Sequence, residues 1–266
     1  MPAGDGNPGV ARGPSWQTPD WPAPPTVQAL STWRGGGVSA APYESLNLGG
    51  HVGDVEAAVA ENRRALRAAA GLPAEPAWLE QVHGAAVRDL DSAPQAGPAD
   101  AAVTRHAGRV CAILTADCLP VIFATASGDR VGAAHAGWRG VAAGVLEATV
   151  RAMAAPPQEL LAWLGPAIGP RQFEVGAEVR EALLQGDPAA EAAFAVNARG
   201  RYLADLYALA RGRLRRLGVE RIHGGGAGGA PTPCTFTEDT RYFSHRRDGP
   251  TGRQATLIWL KRPAHG

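Results

Sequence analysis

Residues 110–140 read VCAILTADCLPVIFATASGDRVGAAHAGWRG, and this stretch decides the fold. It contains three apolar runs of strand length, at residues 110–115, 119–124 and 131–135. Only Ala116-Asp117-Cys118 separates the first two runs, and Pro120 follows directly. Because proline cannot donate a hydrogen bond to a β-ladder, we expect an edge strand, a bulge or a break there.

Helical and further strand patterns surround this stretch. The third run enters the turn Gly137-Trp138-Arg139-Gly140, and helical spacing of apolar residues then predicts a helix over residues 141–153. Asp54 is the predicted N-cap of a helix that ends at Gly71. Strands are also predicted at residues 78–82, 160–164 and 255–260, and helices at residues 175–183 and 203–217. This alternation is typical of the α/β or α+β class and leaves the topology open.

The chain is expected to form one domain behind a short arm. Residues 1–25 hold seven prolines without periodicity, which predicts a disordered or loosely packed arm. No long polar linker interrupts residues 26–263, so we expect a single catalytic domain there. The first 25 residues contain no apolar core of a secretory signal, and the three cysteines cannot all pair. Both observations favour a cytoplasmic protein with free thiols.

The charge balance excludes several classes of partner. The chain has 26 Lys+Arg and 25 Asp+Glu, a net charge of +1, which is too little for sequence-independent binding to nucleic acid or anionic membranes. No apolar stretch approaches the roughly 20 residues of a membrane span. Lys261 is the only lysine, so an arginine carries information here only within a motif.

Three polar residues directly follow apolar runs, at the kind of strand end where sites are built: His83, Cys118 and His135. Two imidazoles and one thiolate suit a catalytic zinc site that keeps its fourth position open. The long spacings make ordinary structural residues the default reading of this pattern alone. Asp117 beside Cys118 favours a functional site here, because a charged residue next to an apolar strand needs a partner or a role.

Other glycine, cysteine and histidine residues are not expected to form a catalytic or binding site. Gly224, Gly226 and Gly229 spell Gly-x-Gly-x-x-Gly, but prolines follow where a dinucleotide site needs a helix, so we expect only a glycine-rich loop. Cys111 is expected to be buried and Cys234 to be inert. The remaining histidines are expected on solvated loops, namely His51, His106, His223 and His265.

Several motifs in order resemble one known family. They are Ser45-Leu46-Asn47-Leu48-Gly49, Asn62-Arg63, Gln81-Val82-His83-Gly84, Thr115-Ala116-Asp117-Cys118-Leu119-Pro120, His135-Ala136-Gly137-Trp138-Arg139-Gly140, Leu164-Gly165-Pro166-Ala167-Ile168-Gly169 and Phe243-Ser244-His245-Arg246-Arg247. Together they resemble the YfiH-like family, also called the laccase-domain or polyphenol oxidase family, over residues 33–260. His245 departs from the aromatic usual there, which we expect to alter packing more than chemistry.

The resemblance implies a single-domain α/β/β/α sandwich with a metal, usually zinc and alternatively copper, on His83, Cys118 and His135. It implies a purine nucleoside phosphorylase that acts with phosphate on adenosine, inosine and S-methyl-5'-thioadenosine and also deaminates adenosine. The same side chains and Asp117, a proton-shuttle candidate, would be catalytic. The motifs also supply five expected substrate contacts: Asn47, Arg63, Arg139, Ser244 and Arg246. A monomer or small homo-oligomer is expected.

Three alternatives stay open at this point. A multicopper laccase needs on the order of ten imidazoles, and the chain has seven His, so only copper on the single Cys/His₂ site could support polyphenol oxidation. A metal-free Cys–His hydrolase acting on cell-wall precursors would use Cys118 as nucleophile. A ligand-binding module without turnover is the third alternative.

Overall fold

The computed structural model describes residues 13–92 and 97–262. Their α-helices are α1 (Glu56–Ala69), α2 (Trp138–Ala143), α3 (Val145–Ala152), α4 (Ala177–Leu184), α5 (Leu206–Arg216) and α6 (His245–Asp248). Their strands are β1 (Trp16–Gln17), β2 (Val27–Thr32), β3 (Ala77–Trp78), β4 (Val87–Asp89), β5 (Ala101–Thr104), β6 (Val110–Thr115), β7 (Leu119–Thr125), β8 (Val131–Ala136), β9 (Leu160–Leu164), β10 (Glu174–Val175), β11 (Phe194–Val196), β12 (Tyr202–Ala204), β13 (Arg221–Gly224) and β14 (Gln254–Leu260).

Two sheets form the centre of the molecule. One has the strand order β1-β2-β14-β6-β3 and the other β13-β9-β7-β8-β5-β4, while β10-β12-β11 form a small third sheet. Every residue of β6, β7, β8 and β14 is buried. Strands covered on both faces read as continuous apolar runs, which is why the sequence shows runs here and not alternation.

Three apolar clusters define the layers. Ile113 of β6, Ile122 of β7 and Ile258 of β14 pack between the two sheets. Leu66 of α1 packs on the outer face of the five-stranded sheet, and Leu214 of α5 belongs to the cluster on the outer face of the six-stranded sheet. Each such side chain contributes roughly 1.5–3 kcal/mol by burial. The expected α/β/β/α sandwich is confirmed.

The link between β6 and β7 crosses from one sheet to the other. Asp117 lies in this link with a φ of 88°, in the left-handed region that a non-glycine residue rarely adopts. The predicted break is therefore real, but the expected edge position of Pro120 is wrong. Pro120 is the second residue of a central strand, opposite His135 of β8, and pairing with β9 begins only at Val121.

Several predicted boundaries move. Asp54 is not the N-cap of α1: Val55 holds that position, while Asp54 accepts hydrogen bonds from the side chains of Ser39 and Asn47. The predicted helix over residues 141–153 is divided by Gly144, whose φ of 88° ends α2. The predicted helix starts at 175 and 203 are also too early, because β10 and β12 occupy those positions.

Short strands account for the other differences. The predicted strand at residues 78–82 is wrong beyond Trp78, where β3 ends, and the sequence reading misses β4 and β5. Residues 13–25 are part of the fold and not of a loose arm, since β1 pairs with β2 and Trp21 packs against the cluster between the sheets. The rest of the expected arm, residues 1–12, and His265 lie outside the described residues. No helix among the described residues is long and apolar enough to cross a membrane.

Candidate active site

The structure brings the three predicted strand-end residues together. The ligand atoms of His83, Cys118 and His135 all lie within 4.8 Å of one another. The two imidazole centroids are 4.7 Å apart, with the rings inclined at 63°. His83 follows β3, Cys118 lies in the link that crosses between the sheets, and His135 lies on β8. The cluster therefore draws on both sheets.

A buried carboxylate that the sequence reading missed holds both histidines. Asp100 is completely buried, and its Oδ1 accepts a hydrogen bond from His135 Nδ1 at 2.8 Å. The same carboxylate accepts the backbone N–H groups of Val82, His83 and Gly84 at 3.1, 2.8 and 2.7 Å. These contacts keep His83 at a φ of 61°, and they leave Nε2 of His135 as the nitrogen for the cluster.

Electrostatics favour a thiolate at Cys118. Burial opposes ionisation of the thiol, but the imidazoles of His135 and His83 outweigh it and lower the pKa of Cys118 to about 6. Burial likewise disfavours the charged form of His135, yet the Cys118 thiolate and Asp100 raise its pKa to about 9. Without a metal, the directions of both shifts favour a thiolate beside an imidazolium.

The cluster forms the wall of a cavity of about 280 Å³, close to the roughly 300 Å³ at which small-ligand sites begin. Among the described residues that line it are two arginines, Arg139 and Arg253, and no carboxylate. His51 and His245 also line it. His51 is an exposed turn residue, as expected, and it also lines the cavity. His245 lines the cavity as well, so the departure from the usual aromatic places an imidazole there.

The two cavity arginines are held differently. Arg139 is exposed, stacks on Trp138 with 4.4 Å from Cζ to the ring centroid, and forms no ion pair within the described part of the chain. Arg253 donates from Nη1 to the carbonyls of Thr251 and Gly252, each at 2.9 Å. Burial lowers the pKa of Arg253, although a guanidinium keeps its charge at neutral pH. The cavity is thus suited to an anion.

Two of the expected substrate contacts are buried in the framework. The Asn47 amide is completely buried and binds the carbonyl of Gly49, Asp54 and the N–H groups of Gly49 and Arg253. Ser244 is completely buried and caps α6 by accepting the N–H of Arg247. Both side chains position loops near the cavity but do not line it.

The two other motif arginines are also engaged elsewhere. Arg63 donates two hydrogen bonds to the carbonyl of Leu48, at 3.0 and 2.8 Å, and stacks on Trp78. Arg246 donates from Nη1 to the carbonyl of Glu174 at 2.8 Å. Of the three arginines expected to contact substrate, only Arg139 lines the cavity, and Arg253 is the one the sequence reading missed.

Asp117 has a structural partner for each carboxylate oxygen. Oδ1 accepts the hydroxyl of Thr235 at 2.6 Å, and Oδ2 accepts the backbone N–H of Arg246 at 2.7 Å. Asp117 thereby fastens residues 235–246 beside the cavity. This geometry favours a positioning role for Asp117 over the proton-shuttle role expected from its place next to Cys118.

The other cysteines and His106 lie apart from the cluster. Cys111 is completely buried between the sheets, as predicted, and burial raises the pKa of its thiol. Cys234 accepts the N–H of Gly169 at 3.2 Å. His106 lies 2.9 Å from the carboxylate of Asp91.

The donor set of the cluster fits a transition-metal cation. Thiolate and imidazole are ligands that both zinc and copper accept. The hydrogen bond from His135 Nδ1 to Asp100 reproduces the carboxylate–histidine arrangement that orients metal-binding imidazoles. The lowered pKa of Cys118 supplies the deprotonated sulfur that a metal needs.

Comparison with known proteins extends these observations. The family model described as "Multi-copper polyphenol oxidoreductase laccase" matches residues 28–261. A protein of Escherichia coli (strain K12) named purine nucleoside phosphorylase YfiH is 55% identical over 243 residues, which are 91% of this chain and 97% of that protein. Purine nucleoside phosphorylase PA4543 of Pseudomonas aeruginosa is 53% identical over 248 residues, which are 93% and 99% of the two chains.

Solved structures are similar over the same length. The Neisseria meningitidis protein NMB0706 is 48% identical with a TM-score of 0.85, covering 93% of this chain and 99% of that one. YlmD from Geobacillus stearothermophilus is 33% identical, also with a TM-score of 0.85, covering 95% and 98%. The likeness therefore spans nearly the whole chain in both sequence and fold.

Proposed function

Because this chain belongs to the YfiH-like family of laccase-domain proteins, we propose that it is a purine nucleoside phosphorylase. Its proposed substrates are phosphate and adenosine, inosine or S-methyl-5'-thioadenosine, which it cleaves to base and the ribose 1-phosphate. The names of its relatives support the reaction class. The observation that carries the proposal is the cavity itself: it places two arginines, and no carboxylate among the described residues, beside the His/Cys/His cluster.

The arginines match what phosphorolysis requires. The nucleophile is a phosphate dianion, which must be held against C1′ while the bond to the purine nitrogen breaks. Arg139 and Arg253 offer planar, bidentate contacts to phosphate oxygens. Burial lowers the pKa of His51, and the positive charges of Arg253 and Arg63 lower it further. His51 therefore stays uncharged at neutral pH and serves as a hydrogen-bond partner for substrate, not as a proton donor.

The proposed metal site is the cluster of His83, Cys118 and His135. When bound there, a zinc-type cation supplies a Lewis acid that lowers the pKa of water, the chemistry that adenosine deamination needs. Asp100 keeps His135 oriented and His83 in its left-handed backbone conformation. We propose deamination of adenosine as a second activity of the same cavity.

The histidine positions argue against a multicopper laccase. Of the six His among the described residues, four line the cavity, and His106 and His223 lie elsewhere. A trinuclear copper cluster with a blue-copper centre needs on the order of ten imidazoles. Polyphenol oxidation is thus confined to copper bound in place of zinc.

One observation favours a second candidate function. The lowered pKa of Cys118 beside His135 is what a nucleophilic cysteine hydrolase requires. Cell-wall precursors would then be the substrates. Full activity in metal-free protein, with loss on alkylation of Cys118, would favour this hydrolase over the phosphorylase.

The test is incubation of the wild-type protein with adenosine and phosphate, followed by identification of the products. We expect adenine and ribose 1-phosphate, with inosine as the product of deamination. Arg139→Ala should raise KM for phosphate about tenfold by loss of charge-assisted hydrogen bonds, while Arg151→Ala, an exposed arginine on α3, serves as the matched control. No phosphate-dependent cleavage by the wild-type protein would refute the phosphorylase.

A further inference from the structure

A second and larger cavity lies at the carboxyl ends of two parallel strands. Its volume is about 740 Å³, within the range of small-molecule sites. The strands are β9 and β13, whose ends contribute Trp163, Leu164, His223 and Gly224 to the lining. Crevices outside the carboxyl ends of parallel strands are preferred places for ligands in α/β folds.

Part of the lining of this cavity is aromatic. Trp21 and Trp163 both line it, although Trp163 is only 6% exposed. The loop after β13 adds Gly224, Gly225 and Gly226, with φ values of 71°, 50° and 80° that glycine alone adopts without strain. The glycine-rich loop of the sequence thus forms a backbone surface without side chains, beside the partly exposed indole of Trp21, which can stack on a planar ring.

The charge of this cavity is opposite to that of the His/Cys/His cavity. Glu238 is paired with Arg241 at 3.2 Å, and burial lowers the pKa of His223, which is then uncharged at neutral pH. Asp20 is exposed and has no ion-pair partner in the described part of the chain. One uncompensated carboxylate therefore lines the cavity, which disfavours an anion and favours a hydrogen-bond donor.

We propose that this cavity is a second ligand site, which binds a planar nitrogen heterocycle carrying an exocyclic amino group. The ring packs against the indole of Trp21 and the backbone of the glycine-rich loop, and the amino group donates to the carboxylate of Asp20. Residues 235–246, which Asp117 fastens, contribute Glu238, Arg241 and Tyr242 to this cavity and His245 to the His/Cys/His cavity. The inference stands on the lining of this cavity and does not depend on the proposed phosphorolysis.

The test is calorimetric titration of the full-length protein with adenine, a neutral planar ring with one exocyclic amino group. In the wild-type protein we expect a binding event that Asp20→Asn weakens about tenfold and Arg139→Ala leaves unchanged. Asp239→Asn, another exposed aspartate, is the matched control and should bind as the wild type does. Trp21→Phe keeps a ring for packing and should weaken binding less than Asp20→Asn.

Two results would overturn the proposal. One is the absence of adenine binding at millimolar concentration to the folded wild-type protein. The other is binding that Asp20→Asn leaves intact and Arg139→Ala removes, which would place adenine in the His/Cys/His cavity. Neither result would refute phosphorolysis, which the product assay tests separately.

Discussion

Asp100 and Asp117 both adjoin residues of the His/Cys/His cluster and are used in different ways. Asp100 is completely buried, and its carboxylate accepts hydrogen bonds from the imidazole of His135 and from the backbone N–H of His83. Asp117 adjoins Cys118 in sequence, but its carboxylate binds Thr235 and the backbone of Arg246. One carboxylate orients the imidazoles of the cluster, and the other fixes a wall of the cavity. Proximity in sequence is therefore a poor guide to which carboxylate acts on the cluster.

Asp100→Asn should have the largest effect, because an amide cannot accept four hydrogen bonds with its single oxygen. We expect zinc affinity to fall by about 10- to 100-fold and the free energy of unfolding to fall by about 2 kcal/mol. Competition with a chromogenic chelator measures the affinity. Wild-type zinc affinity in a folded Asp100→Asn protein would show that the carboxylate does not orient the imidazoles.

Asp117→Asn should separate the two roles, since asparagine also tolerates a positive φ. We expect phosphorolysis to fall roughly fivefold, corresponding to about 1 kcal/mol for a weakened hydrogen bond, with zinc affinity unchanged. Limited proteolysis should become faster within residues 235–246. If zinc affinity fell as far as in Asp100→Asn, the contrast between the two carboxylates would be lost.

The pH dependence of thiol alkylation sharpens the same contrast. The thiolate of a group with a lowered pKa is present above that pKa, so metal-free wild-type protein should react with iodoacetamide at Cys118 with a midpoint near pH 6. Asp100→Asn weakens the charge on His135 and should shift the midpoint upward, slowing the reaction several-fold at pH 6. Asp117→Asn should leave the midpoint in place. Peptide mass spectrometry distinguishes Cys118 from Cys234.

Ser244→Ala should have the smallest effect on activity. The hydroxyl caps α6 and does not line the cavity, so its loss should lower the free energy of unfolding by about 1 kcal/mol and leave KM for phosphate unchanged. Thermal unfolding and steady-state kinetics measure the two effects. A raised KM without loss of stability would instead restore Ser244 as a substrate contact.

The central strands are predictable from sequence because burial on both faces leaves an unbroken apolar run. Residues 110–115 and 160–164 coincide with β6 and β9. The short strands β4 and β5 escape the same reading, because three or four residues are too few to show a period. The layered arrangement comes from the resemblance and not from periodicity, since consecutive strands such as β6 and β7 belong to different sheets.

Some residues of the candidate site can be predicted from the sequence, and others cannot. His83, Cys118 and His135 stand out because each follows an apolar run. Asp100 gives no such signal, since it lies between a proline-containing segment and a short strand, and its role depends on contacts across 16–35 residues of chain. Arg253 is hidden among the many arginines of this composition. A side chain that acts through tertiary contact leaves no local mark in the sequence.

Because of the link at residues 116–118, the cluster joins the two sheets of the sandwich. His83 follows β3 of the five-stranded sheet, and His135 lies on β8 of the six-stranded sheet. Cys118 lies in the three-residue link between β6 and β7. A cation held by all three side chains would cross-link the two halves of the sandwich. Its binding free energy would then add to the free energy of unfolding, so the melting temperature of the protein would report how fully the site is loaded, even without substrate.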